Sequence, residues 1–261
     1  MANCYKNFPV TVTYSDSTTS DIYSNSVSIS ESLALEHAES LGIKGSNAVF
    51  NFYLPEGSID VESYVTDSLS KFNDLQGSND NNIQVQAGPY TMPTPCTLSS
   101  MSVNITVGEP ITCSRSFSYV GSAATGTSPA PIVTPLSAAV PENITLNGYD
   151  SIGGSNIIKS ATWTFSQEYE KIHLLGNVNP VVVFKGGQIS LDIDGEQLTT
   201  QLMSTGSSCP ISPKNYSISI SGCNGSDLGT LSVTSGYMQS RSSSVAQEGI
   251  EENGVSIIQY L

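Results

Sequence analysis

The strongest constraint on this chain is a pair of period-two runs around a three-residue turn. Met101, Val103, Ile105 and Val107 alternate with polar residues, and so do Ile111, Cys113, Phe117 and Tyr119, with Arg115 standing in an apolar slot. Gly108-Glu109-Pro110 lies between the runs. Successive strand side chains point to opposite faces, so the pattern predicts an antiparallel hairpin with one buried face. The C-terminus repeats the scheme: a long polar strand over Tyr237 to Ala246, an acidic, glycine-containing turn over Gln247 to Gly254, and a closing strand over Val255 to Leu261. Leu261 falls inside the apolar alternation, which predicts an end built into a sheet. Val10, Val12 and Tyr14 alternate, as do Phe50, Phe52 and Leu54. The fold class expected is mainly β.

Between Gly121 and Pro141 the chain carries Pro129, Pro131, Pro135 and Pro141 among Ser, Ala and Thr. Proline lacks the amide donor and favours extended backbone, so this segment reads as a linker. It divides the chain into residues 1–121, a Pro/Ser/Ala-rich linker over 122–140, and residues 141–261. The expectation is two tandem similar domains, each a β-sandwich or barrel with a short helix and a long hairpin. An internal repeat supports it. Val27-Ser-Ile29 falls on Ala161-Thr-Trp163 at an offset of 134, as do Leu41-Gly42 on Leu175-Gly176 and Ala48-Val49-Phe50 on Val182-Val183-Phe184. After a four-residue deletion, Gly57-Ser-Ile59-Asp-Val61 falls on Gly187-Gln-Ile189-Ser-Leu191. Ser100-Met101 resembles Tyr237-Met238, and Phe117-Ser-Tyr119 resembles Ile258-Gln-Tyr260. Each half then offers a short helix: Thr66 to Gln76, with Leu69, Phe72 and Leu75 on one face, and Glu196 to Met203, with Leu198 and Leu202. Ser32 to Leu41 and Gln167 to Leu175 have helix-like spacing and end at Gly42 and Gly176. They read as short helices or as a strand with a turn of helix, alike in both halves.

Charge narrows the function. Nine Lys+Arg stand against 23 Asp+Glu, a formal charge of −14, and only 12% of the 261 residues are charged. That is about half the ~25% usual in globular domains. Hydroxyls and amides fill the deficit, with 44 serines. A nucleic-acid binder needs a cationic face to displace phosphate counterions, and this chain does not offer one. No run of 18 apolar residues occurs, so no membrane-spanning helix is expected. Met1 to Val10 has no apolar core of a secretion signal.

No residue is selected as catalytic, cofactor-binding or metal-binding. His37 and His173 are the only side chains titrating near neutrality without strong perturbation, and they do not align in the repeat. No Gly-x-Ser-x-Gly elbow, phosphate loop or dinucleotide fingerprint occurs. Asp192-Ile-Asp194-Gly195-Glu196 looks faintly like a calcium loop but fails its spacing at Gln197 and Met203. It reads as a strand end entering an acidic helix N-terminus. Asp74 to Asn82 reads as an ordinary polar turn. The five cysteines, Cys4, Cys96, Cys113, Cys209 and Cys223, are odd in number and lack a CxxC. Reduced thiols are expected, with Cys96–Cys113 and Cys209–Cys223 as the pairs that hairpins would bring near. Asn104, Asn143, Asn215 and Asn224 fit the glycosylation pattern, as chance matches in a chain rich in Asn, Ser and Thr.

The order of elements resembles tail tube proteins of tailed bacteriophages. It runs through a strand (Val27–Ile29; Ala161–Phe165), a Leu-Gly turn (Leu41-Gly42; Leu175-Gly176), an apolar strand (Ala48–Leu54; Val181–Phe184), a Gly-led strand (Gly57–Val61; Gly187–Ile193), a short helix and a terminal hairpin. The resemblance implies domains that donate strands to a shared inner β-barrel. It implies rings of three or six subunits of this chain, stacked into a tube that conducts DNA without gripping it. Other tail proteins are the implied partners, the virion tail assembled in the host cytoplasm is the implied location, and no membrane insertion, enzyme activity or cofactor is implied. The competing expectations are a surface or secreted β-sandwich adhesin or glycan-binding module, another virion component such as a tail terminator, baseplate or capsid decoration protein, and a hydrolase on a β scaffold.

Overall fold

The computed structural model describes residues 8–261 except 34–35, 40–46, 51–53, 74, 77–82, 128–137, 149–156, 176, 178, 197–212 and 246–250. The first half comprises β1 (Phe8–Thr13), β2 (Thr19–Ser32), β3 (Glu36–Glu39), β4 (Asn47–Phe50), β5 (Glu56–Tyr64), α1 (Ser70–Asn73), β6 (Gln84–Ala87), β7 (Tyr90–Thr91), β8 (Cys96–Thr106) and β9 (Thr112–Val120). It continues through β10 (Ala124–Thr125). The second comprises β11 (Ala139–Asn147), β12 (Ile157–Ile172), β13 (Val181–Glu196), β14 (Lys214–Gly222), β15 (Asp227–Val245) and β16 (Glu251–Tyr260). The chain is mainly β. One antiparallel sheet runs β10-β7-β6-β1-β2-β5-β9-β8-β12-β13-β16-β15-β14-β11, and β3 pairs with β4 apart from it.

The two hairpins read from alternation are present as β8–β9 and β15–β16. Their alternating apolar residues form the core: Met101, Val103, Phe117, Val255 and Ile257 are all buried. Leu261 N donates to Gly187 O at 2.9 Å, so the closing strand is tied in to its end. The helix expected over Thr66 to Gln76 is the single turn α1, with Leu69, Phe72 and Leu75 buried. Its counterpart over Glu196 to Met203 lies outside the described residues, apart from Glu196, which ends β13.

The helix-like segments are strands. Glu36–Glu39 is β3, and β12 runs unbroken to Ile172. Tertiary pairing overrides the 3.6-residue spacing: each segment finds a partner strand, Val49 opposite His37 and Val182 opposite Lys171. The Pro-rich segment is described at its ends only. Ala124–Thr125 pairs with β7, and Ala139 begins β11, fully buried, with its N–H on Val65 O at 2.8 Å. Ala139 and Val140 are therefore strand, not linker.

Strand pairing repeats between the halves with greater regularity than the residues do. The β2–β5 ladder has a bulge between Ser24↔Ser63 and Ser26↔Glu62, and the β12–β13 ladder has one between Ile158↔Gly195 and Ser160↔Asp194. The β8–β9 ladder has a bulge between Leu98↔Phe117 and Ser100↔Ser116, and β15–β16 has one between Met238↔Ile257 and Ser240↔Ser256. Matching bulge to bulge keeps the offset of 134 for the first strand (Ser24 to Ile158). It gives 132 for the second (Ser63 to Gly195) and 140 for the hairpin (Leu98 to Met238). The sequence alignment of Gly57 on Gly187 is thus two residues out, Ser100-Met101 on Tyr237-Met238 three out, and Phe117 on Ile258 one out. Apolar residues two apart on a strand are interchangeable to the eye, whereas a bulge marks one position. A further coincidence lies beside the hairpins: Ile83 bridges Cys96, and Lys214 pairs with Gly236, again 140 beyond Cys96. The Ile83 bridge also brings β6 back to β8, closing the strands β6-β1-β2-β5-β9-β8 on themselves.

Candidate functional surface

The four-strand ladders β2-β5-β9-β8 and β12-β13-β16-β15 are joined edge to edge by β8 and β12, over Ser100↔Ser166 to Thr106↔Ser160. Eight consecutive strands therefore share two faces. On one face a row reads Val27, Val61, Arg115, Met101, Phe165, Ile189; another reads Ser63, Cys113, Val103, Trp163, Leu191, Ile257. This is the core face, with Trp163, Phe165 and Phe117 buried.

The opposite face is built from hydroxyls and carboxylates. One row reads Ser28, Asp60, Ser116, Ser100, Ser166, Gln188; the next reads Ser26, Glu62, Ser114, Ser102, Thr164, Ser190. A third runs Asn104, Thr162, Asp192, Ser256, Ser240, and a fourth Thr106, Ser160, Asp194, Gly254, Ser242. No Lys or Arg occupies any of these positions.

Hydroxyls, not cations, satisfy the carboxylates. Ser116 Oγ donates to Asp60 Oδ1 at 2.6 Å, Ser26 Oγ to Glu62 Oε2 at 3.0 Å and Ser160 Oγ to Asp194 Oδ2 at 3.4 Å. Across the seam between the halves, Thr162 Oγ1 donates to Asn104 Oδ1 at 3.2 Å and Ser102 Oγ lies 3.4 Å from Thr164 Oγ1. A hydroxyl hydrogen bond leaves a carboxylate's charge in place, so this face keeps a negative potential toward solvent. Cations reach it at its ends: Lys159 at Glu196 Oε1, 2.7 Å away, and Lys171 at Glu56 Oε2, 2.9 Å away.

The residues weighed from sequence fall elsewhere or play bland parts. His37 sits in β3, and His173 follows the end of β12, exposed. Asp192 and Asp194 are strand residues of β13 rather than a loop, and Glu196 ends that strand in its Lys159 pair, the helix expected beyond it lying outside the described residues. Among the described residues no three His, Cys, Asp or Glu are placed to hold a metal. Most of Asp74 to Asn82 lies outside the described residues. Cys96, Cys113 and Cys223 are free thiols. Cys96 stands opposite Tyr119 and Cys113 opposite Val103, so β8–β9 register separates the two. Cys4 and Cys209 lie outside the described residues. Asn104, Asn215 and Asn224 accept hydrogen bonds from Thr162, Ser235 N and Ser226 N. No helix among the described residues is long and apolar enough to cross a membrane.

Sequence reading missed two features. One is the seam, since edge pairing between distant strands leaves no local signal. The other is a buried ion pair: Arg115 Nη2 meets Asp67 Oδ2 at 3.0 Å, and Arg115 Nη1 donates to Ser63 Oγ at 3.0 Å. The guanidinium carbon lies 4.6 Å from the Phe72 ring centroid. Burial opposes the arginine's charge, but Asp67 outweighs it and the guanidinium's pKa is raised. Its signal was the charge in an apolar slot of the hairpin.

No protein-family model matches this chain, and no curated protein is significantly similar to it in sequence.

Proposed function

We propose that the protein is a virion structural subunit that self-assembles into rings stacked as a phage tail tube, with the hydroxyl and carboxylate face lining the bore. The observation that carries this reading is the set of hydroxyl and carboxylate rows that cross the seam between β8 and β12, none of whose positions holds a Lys or Arg; on β16 and β15 two of the rows run on into Tyr260, Ile258 and Tyr237. A conduit for DNA must not bind its cargo. Fixed negative charge repels phosphates, and without Lys or Arg there is no counterion release to drive adhesion. Serine and threonine keep the wall wetted without anchoring bases by stacking.

Size supports a ring of three chains. About 24 strands spaced ~4.8 Å apart and tilted about 40° enclose a circle roughly 48 Å across, or about 38 Å inside the side chains. That clears a duplex of roughly 20 Å, whereas two chains leave about 22 Å on the same geometry. Three chains bearing two similar ladders each would give six near-equivalent units around the axis.

Negative-stain microscopy of concentrated protein tests the reading. Hollow rings or tubes of uniform diameter are expected, with threefold averages. A protein that stays monomeric at every concentration overturns it, and sixfold averages of whole chains overturn the three-chain ring.

A further inference from the structure

The seam inside the chain predicts a second seam between chains. β12 pairs with β8 through Ser160–Ser166. The equivalent stretch of β2, at the offset of 134, is Ser26–Ser32. β1 covers β2 only as far as Ser24, and among the described residues no strand pairs with the outer edge of β2 beyond it. The equivalent of β8 Ser100–Thr106, at the offset of 140, runs from Ser240 into residue 246. β14 covers β15 only as far as Gly236, and among the described residues β15 is paired from Ser240 onward on the β16 side alone.

Burial agrees with two edges that no described strand covers. Ala161 and Trp163, which lie beside β8, are 2% and 0% exposed. Their ladder equivalents Val27 and Ile29 are only partly buried. They line a groove of about 640 Å³ together with Glu31 and Tyr90. On the other edge Ser240 and Ser242 are exposed, whereas their equivalents Ser100 and Ser102 are half-buried.

We infer that the partner of this edge is a second copy of the chain, whose β15 pairs antiparallel with β2 in one register: Val27 opposite Val245, Ser28 opposite Ser244, Ser30 opposite Ser242 and Glu31 opposite Arg241. This register is the β8–β12 seam carried over by the two offsets. It sets valine on valine, hydroxyl on hydroxyl and an acid across from a base. It prolongs the hydroxyl rows across the junction, since Ser28 and Ser244 stand where Thr162 and Asn104 bond each other. The contact is head-to-tail, so it propagates around a ring and leaves neither edge open. The inference rests on the self-assembly proposed above and fixes which strands meet and how.

Cysteine cross-linking tests it, in full-length protein with Cys4, Cys209 and Cys223 changed to Ser. Ser28→Cys with Ser244→Cys, oxidised in the assembled fraction, is expected to give covalent multimers as the main species on a non-reducing gel, and each single variant is not. Asn104→Cys with Thr162→Cys is the internal standard and should close within one chain. Ser28→Cys with Ser240→Cys, four residues out of register, should cross-link at least tenfold less. Rings visible by microscopy without the Ser28–Ser244 link, or with the shifted pair linking equally well, overturn the register while leaving self-assembly standing. Absence of any assembly by sedimentation and microscopy overturns both.

Discussion

Arg115 and Val255 occupy the same rung of two equivalent ladders, one a buried cation held by Asp67 and the other a buried hydrocarbon. The fold thus accepts either solution at that rung. Breaking a buried pair by removing one partner is costly, while replacing both with apolar groups often is not. Asp67→Ala is therefore expected to lower stability by about 3–5 kcal/mol. Arg115→Met with Asp67→Leu should recover most of that loss. Urea midpoints at constant m-value distinguish the two.

Gly57 lies beneath the Tyr119 ring, where any Cβ would collide with the aromatic carbons. The Tyr119 hydroxyl donates to Glu31 Oε1 at 3.1 Å, and the same oxygen accepts Ala123 N at 2.6 Å. Gly57→Ala should expel the ring and cost about 1–3 kcal/mol. Tyr119→Phe keeps the packing and should cost about 1 kcal/mol. A Gly57→Ala protein as stable as the parent in thermal unfolding would contradict this packing.

Burial pushes the thiols of Cys96 and Cys113 up to about 12 and about 11. Both are therefore protonated and shielded at pH 8, while Cys223 is exposed. Alkylation of native protein followed by peptide mapping should label Cys223 and spare the buried pair until urea is added. The raised values also set a pH dependence. An unfolded thiol ionises near 9, so above that pH the unfolded chain sheds protons that the folded one keeps. Stability is full below pH 9 and falls as pH rises through 11 to 12. Cys113→Ala should flatten that fall in alkaline urea titrations.

Charge on the polar face is open to a direct reversal. Asp60→Lys, Asp192→Lys and Asp194→Lys together should leave the core face untouched and create a cationic stripe. The assembled triple variant is expected to retain duplex DNA at 50 mM salt and release it as salt rises. Filter-binding of parent and variant particles reads the difference. Equal retention by both would detach the polar face from any role in passing DNA.

Gly229 holds φ at +116°, and an added Cβ would sit 3.1 Å from Ser70 N, beside the bond from Leu69 N to Leu228 O. Gly229→Ala should cost about 1–3 kcal/mol through backbone strain alone. It should also loosen α1 from β15, seen as faster amide exchange at Leu69.

Alternation made the hairpins and their buried faces legible, because a period of two survives any context that buries one side. Helical spacing names Leu69, Phe72 and Leu75 as the inner face of a short helix. The same spacing leaves Ser32–Leu41 and Gln167–Leu175 open between a helix and a strand with a turn of helix, and partner strands decide Glu36–Glu39 and Gln167–Ile172 for strand. Residue matching and bulge matching between the two ladders agree at the offset of 134 at Ser24 and part after Gly57, since the bulges at Ser26, Ser100, Ser160 and Ser240 are backbone events in serine-rich text. The polar face was hidden for the same reason. Its serines are scattered over eight strands, and only pairing lines Ser28 up with Asp60, Ser116 and Ser100.

The seam between β8 and β12 is made within one polypeptide, between strands separated by the Pro-rich segment. Its effective concentration is fixed by that tether and does not fall when the protein is diluted. Pairing that required another chain would obey mass action instead. In the proposed ring, each molecule would therefore carry half of the edge-to-edge contacts free of any dependence on expression level. Dilution would dissolve an assembly of such molecules only into units that already hold two ladders in register.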